Sequence, residues 1–152
     1  MSIGKLRGGE LLALLGALCV IVSLMLAWYE GSSSGTLDAW DTFGPGVVLL
    51  LAATAGALSL FFGTLAERSA AVSVAAAVWC IPLGMAGLIA AVVRVLERPD
   101  HATGVCAGAW LALAGVAAIF AGAWLAVHDE RGSLYEPATP EIRPRYVRGR
   151  SG

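Results

Sequence analysis

Apolar and polar positions along this chain are sorted into blocks rather than alternated. Four windows, residues 11–29, 47–66, 70–93 and 104–127, contain no Asp, Glu, Lys, Arg or His, and every charge falls between or beyond them. The windows are apolar on all sides, with neither the period of two of a half-buried strand nor the one-sided stripe of a surface helix. About 20 apolar residues in a helix rise far enough to cross the ~30 Å hydrocarbon core of a bilayer, and a helix satisfies its own backbone groups in lipid. The pattern therefore predicts four spanning helices. Lys5 and Arg7 ahead of the first window give it the look of a secretory leader. Its apolar run is too long for one, and Met25, Leu26, Ala27, Trp28 and Tyr29 leave no small-x-small cleavage site, so it reads as a retained span.

The connections and the charges set the expected topology. Glu67, Arg68 and Ser69 make a three-residue turn that forces the second and third helices to be antiparallel neighbours. Pro45 suits the first turn of the second helix; Arg94, Glu97 and Arg98 carry the third into the headgroups until Pro99 stops it. An inside N-terminus puts Lys5, Arg7, Arg68, Arg131, Arg143, Arg145, Arg148 and Arg150 on the cytoplasmic side and leaves only Arg94 and Arg98 outside, as the retention of basic residues demands. The expected fold is all-α: a polytopic membrane four-helix bundle, up-down-up-down, with both termini cytoplasmic. Residues 1–10 form the cytoplasmic N-terminus, 11–128 the transmembrane domain, and 129–152 a cytoplasmic tail whose prolines and polar composition predict disorder.

Within the windows, small residues recur at spacings of three and four, so the helices are expected to pack by close backbone approach. The packing glycines are Gly16 in the first, Gly56 and Gly63 in the second, Gly84 and Gly87 in the third, and Gly104, Gly108, Gly115 and Gly122 in the fourth. Trp28, Tyr29 and Trp110 near the outer boundary, Trp124 near the inner one and Trp40 in the outer loop are expected to anchor the protein in the headgroups. Ser23 and Thr54 fall at similar depth and either bond across helices or close on their own i−4 carbonyls. Pro82 interrupts the hydrogen-bond ladder of the third helix.

Composition narrows the chemistry. With 58% hydrophobic and 14% charged residues among 152, the chain lacks the polar exterior of a soluble enzyme. No nucleophile elbow, phosphate loop, metalloprotease or dinucleotide motif occurs, and no catalytic or cofactor-binding residue is assigned. Cys19, Cys80 and Cys106 read as small apolar residues, and His101 and His128 lack the converging partners of a metal site. Glu10 precedes the first window, where it can reach water. The bilayer is the expected partner, with a homo-oligomer or larger membrane complex built on the helices and no nucleic acid. Arg143, Arg145, Arg148 and Arg150 form a basic tail suited to anionic inner-leaflet lipid.

The single Lys against nine Arg, the absence of Asn and Gln, and the Ala and Gly content are the usage of GC-rich bacterial genomes. With Trp28-Tyr29 closing the first window and Ala39-Trp40-Asp41 and Phe43 ahead of the second, the chain resembles small uncharacterised four-span membrane proteins of such bacteria. The resemblance implies a multi-pass protein of the inner membrane and carries no activity with it. The expected role is non-enzymatic, an accessory or scaffold subunit acting through helix packing and contacts with protein or lipid. The alternative is a channel or facilitator for a small neutral solute.

Overall fold

The computed structural model describes residues 8–31, 35–65, 70–99 and 102–134, with the backbone alone for 70–74 and 129–134. The turn at 67–69, His101, Lys5 and Arg7, and the arginines of the tail lie outside the described residues. The chain is mostly helical. Its elements are α1 (Gly8–Leu24), β1 (Tyr29–Gly31), β2 (Thr36–Leu37), α2 (Ala39–Phe43), α3 (Gly46–Leu65), α4 (Ala70–Leu96), β3 (Ala102–Val105) and α5 (Ala107–Leu134). Helix α1 packs against α5 and α3, and α4 packs against α3 and α5, so the four long helices close into a ring.

Three stretches, Gly46–Leu65, Ala75–Leu96 and Ala107–His128, are long and apolar enough to cross a membrane. At 17 residues α1 is shorter, about 25 Å of helix. It ends well before Tyr29, where the charge-free window ends, for a local reason. The amides of Met25 and Leu26 fold back to Val22 and Ser23 in i−3 bonds of 3.0 and 3.2 Å, tightening the last turn. The Trp28 indole N–H then donates to the Ser23 carbonyl at 2.8 Å, satisfying a group the helix leaves open. Beyond that cap the chain is extended. Tyr29 pairs antiparallel with Leu37 on one side and Val105 on the other, giving a three-stranded sheet in the order β2-β1-β3.

The fourth window likewise begins as strand. Gly104 lies in β3 and not in a helix, a correction to its expected place in a packing stripe, and α5 starts only at Ala107. The amides at the entry to α5 are taken up by the chain leaving α1: Cys106 N–H, just before the helix, donates to Trp28 O at 2.8 Å and Gly108 N–H to Ala27 O at 3.0 Å. A Cβ at Gly108 would stand 2.6 Å from the Ala27 oxygen, so only glycine fits. At the other end α5 continues as helix to Leu134, past residue 128 where the transmembrane domain was expected to end.

Small side chains are prominent in the interior, beside larger ones such as Leu50, Leu60 and Ile119, and many large apolar side chains stand on the exterior. Ala13, Ala17, Ala53, Ala57, Ala112 and Ala123 are buried, whereas Leu15, Leu18, Val48, Ile89 and Trp79 are exposed. Where no hydrophobic drive joins helices, such residues let backbones approach closely. The tightest seam is between α1 and α5, through two reciprocal glycine pairs. A Cβ on Gly122 would lie 2.5 Å from Gly9 O, and one on Gly9 would lie 2.7 Å from Gly122 O; Gly16 and Gly115 face each other in the same way at 2.5 and 2.9 Å. Gly84 rests on the Phe120 backbone, with a Cβ position 3.2 Å from its Cα, and Gly87 and Gly56 make looser contacts with Val116 and Cys80. Gly63, expected in a packing stripe, has nothing within 4 Å of its Cβ position among the described residues. The hydroxyls close locally: Ser23 donates to Val20 O at 2.6 Å and Thr54 to Leu50 O at 2.8 Å.

Candidate functional site

Polar chemistry gathers at the two ends of the bundle. At one end the sheet and α2 form a cap. Asp38 starts α2 by accepting from the Trp40 and Asp41 amides at 2.9 and 3.0 Å, which satisfies two open donors of the first turn. Thr42 Oγ1 adds a bond to Asp38 O at 2.7 Å, and Gly44 turns the chain out of α2 with φ +50°, a conformation that strains side-chain-bearing residues. This short helix aims Phe43 inward and Trp40 outward: Phe43 is buried and Trp40 is 53% exposed.

Phe43 holds the cap together. The Trp28 ring meets it edge-on, with centroids 5.2 Å apart and planes at 68°, a favoured aromatic geometry. The Arg94 guanidinium carbon lies 5.5 Å from the Phe43 centroid, within cation–π reach. Tyr29 completes the tie by donating its hydroxyl to the Arg94 carbonyl at 2.6 Å. Loop, sheet and the end of α4 are therefore fixed to one another. Trp28 and Tyr29, expected in the headgroups, have no exposed surface and fill the cap. Trp40, Trp110 and Trp124 are exposed.

Burial pushes the Tyr29 phenol above its ordinary value of 10.0, and the nearby Arg94 charge partly opposes the rise. A phenol whose folded-state value is raised adds stability that is complete below the unfolded value and is lost as pH rises through the folded one. Tyr29→Phe is expected to lose about 0.5–1.5 kcal/mol at neutral pH with its hydrogen bond. Denaturant titrations repeated above pH 10 should show the wild-type advantage shrinking, with the variant flat over the same interval.

No family model, curated protein or solved structure matches this chain. The site must therefore be read from its own groups. At this end of the bundle Glu30, Asp41, Glu97, Arg98 and Thr103 are exposed, and the Thr103 hydroxyl donates to Glu30 O at 3.2 Å. The Asp38 carboxyl is committed to capping α2. What the cap presents is an exposed indole, next in sequence to Asp41, and several exposed charged side chains.

The second polar place is at the opposite end, and sequence reasoning missed it. Glu10 is only 5% exposed, so the expectation that it reaches water is corrected: its Oε1 accepts from Thr64 Oγ1 of α3 at 2.8 Å. An acid at the start of one window and a threonine near the end of its antiparallel neighbour are the signal that could have found it. Thr64→Val removes that donor from a buried carboxyl and is expected to cost about 1–3 kcal/mol, read as a lower denaturation midpoint in detergent. Thr64→Ser should restore most of it. On α5 below this level, His128 stacks on Trp124 with centroids 4.9 Å apart, its Nδ1 3.2 Å from the Trp124 carbonyl.

Proposed function

We propose that this chain is a four-span protein of the bacterial inner membrane, both ends cytoplasmic, that acts without catalysing a reaction, as an accessory or scaffold subunit. The observation that carries the reading is the rigid cap with its exposed Trp40. The cap is tied by Phe43 and Tyr29 to the bundle, and an exposed tryptophan is the kind of residue that dominates protein contacts. The bundle beneath supports the same role, since the α1–α5 seam is closed backbone to backbone. Ser23 and Thr54, the side chains that would line a path for a neutral solute, are buried and bonded within their own helices, and Ser59 faces outward.

The test is crosslinking in native membranes followed by purification of the tagged chain in mild detergent. A stoichiometric partner that is retained by wild type and lost by Trp40→Ala, with unchanged helical signal, is the expected result. Recovery of the chain alone at every detergent strength, with no crosslinked species, overturns the proposal.

A further inference from the structure

Three rings follow one another along α5 toward the end of the bundle where Glu10 meets Thr64. Phe120, Trp124 and His128 stand at the four-residue spacing that brings side chains together on one helix face. The Phe120 and Trp124 centroids are 6.3 Å apart with planes at 33°, and those of Trp124 and His128 are 4.9 Å apart with planes at 31°. Phe120 is half-buried, whereas Trp124 and His128 are exposed. Polarity rises in that order, from a hydrocarbon ring to an indole to an imidazole. The apolar stretch of α5 ends at His128, and Asp129, Glu130 and Arg131 come next in the chain. In a helix that crosses a bilayer such a ladder runs from acyl chains to headgroups, with the indole at the boundary that suits its amphipathic ring.

The imidazole is held at two points. Its ring lies on Trp124, and its Nδ1 is 3.2 Å from the Trp124 carbonyl oxygen. A carbonyl only accepts, so this bond requires the proton on Nδ1. Nε2 has no hydrogen-bond partner among the described residues; it is a lone pair in the neutral ring and a second N–H in the charged one. Both holds favour the charged ring, because the indole face attracts a cation and a bond from a cationic donor is the stronger. What the charged ring lacks is an acceptor for the Nε2 proton. At headgroup depth the abundant acceptor is the phosphate oxygen of a phospholipid. The ionisable groups of this end are Asp129, Glu130 and Arg131 next along α5 and, on α1, Glu10, which is bonded to Thr64. Residues 60–65 of α3 and 70–76 of α4, the other helices packed on α5, have none, and Glu67 and Arg68 between them lie outside the described residues.

We propose that Trp124 and His128 form a binding site for the phosphate of a lipid headgroup, in which the protonated imidazole donates from Nε2 to a phosphate oxygen while the Trp124 ring and carbonyl hold it in place. The inference rests on the reading that α5 crosses the bilayer. Phe120 and Trp124 supply the apolar flank along which the acyl chains of that lipid lie, so the site takes a phosphate attached to a lipid in preference to a free one.

The test is solid-state NMR of the full chain in bilayers of phosphatidylcholine and phosphatidylglycerol, with His101→Gln leaving His128 as the one nitrogen-15-labelled imidazole. At pH 5, below the ordinary histidine value of about 6.5, the Nε2 signal is expected to be dephased by lipid phosphorus at about 4 Å, the span of a hydrogen bond and a P–O bond. At pH 8 the ring proton should be found on Nδ1 and the dephasing of Nε2 should be lost. Trp124→Leu removes the indole face but keeps the backbone carbonyl, and should reduce the dephasing at pH 5. In maltoside micelles with inorganic phosphate no dephasing is expected; equal dephasing there makes the site one for free phosphate and overturns the lipid assignment. A neutral ring protonated on Nε2, or no dephasing at pH 5 in a chain that has entered the bilayer, overturns the site and leaves the membrane reading standing. A chain that does not enter these bilayers overturns both.

Discussion

Gly122→Val is expected to be among the most damaging single changes in the chain, lowering stability by about 3 kcal/mol or more. The reason is the rigidity of what the new side chain meets. Its Cβ alone would lie 2.5 Å from Ala13 N and 2.5 Å from Gly9 O. These are backbone atoms of a helix and cannot rotate aside, so α1 must move away from α5 and forfeit the dispersion contacts of the whole seam. Gly63→Val is the matched control, because its Cβ position is open among the described residues, and it should stay within about 0.5 kcal/mol of wild type. Denaturation in mixed micelles reads both. The partner glycine adds a further signature. Gly16→Ala and Gly115→Ala each force the same two helices apart, so the double variant should cost less than the sum of the singles. Additive losses would mean that the seam does not act as one unit.

How far such a seam could be read in the sequence differs from residue to residue. The charge-free windows give three long helices and most of a fourth, because exclusion of charge from lipid is a strong, cumulative signal. Gly16, Gly115 and Gly122 stand out through their spacing, but a stripe of small residues does not say which helix it faces, and Gly63 carries the same spacing with no neighbour at its Cβ position among the described residues. Gly9 falls outside the first window, so a search for stripes within the windows passes over it. The ends of the windows at the cap were misread for a different reason. Trp28, Tyr29 and Val105 are apolar, and an apolar run carries no mark of the point where helix gives way to strand. That point is set by bonds to residues distant in sequence, such as Trp28 N–H to Leu37 O at 2.9 Å and Cys106 N–H to Trp28 O. Of the candidate site, the loop with Trp40 between two acids was visible; the burial of Glu10 against Thr64, 54 positions away, was not.

Trp28→Ala is expected to loosen the cap and cost about 3–5 kcal/mol, the usual range for deleting a buried indole. Trp28 has no exposed surface, and its removal takes away the edge contact with Phe43 together with the packing that backs the sheet. It also strips the Ser23 carbonyl of the indole N–H bond at the end of α1. Those two losses can be separated. Trp28→Phe keeps a ring against Phe43 but not the donor, so it should cost less than Trp28→Ala by the larger, packing part. Trp40→Ala, at an exposed position on the same cap, should leave stability within about 0.5 kcal/mol. Near-ultraviolet circular dichroism of the Trp28→Ala chain should lose its aromatic signal from the cap while the far-ultraviolet helical signal is kept, since the α1–α5 glycine pairs lie elsewhere. Simultaneous loss of both signals would make the cap a requirement for the bundle rather than a structure built upon it. That distinction bears on function, because a cap that can be unfolded over an intact bundle is one whose contacts can be tested apart from the protein's residence in the membrane.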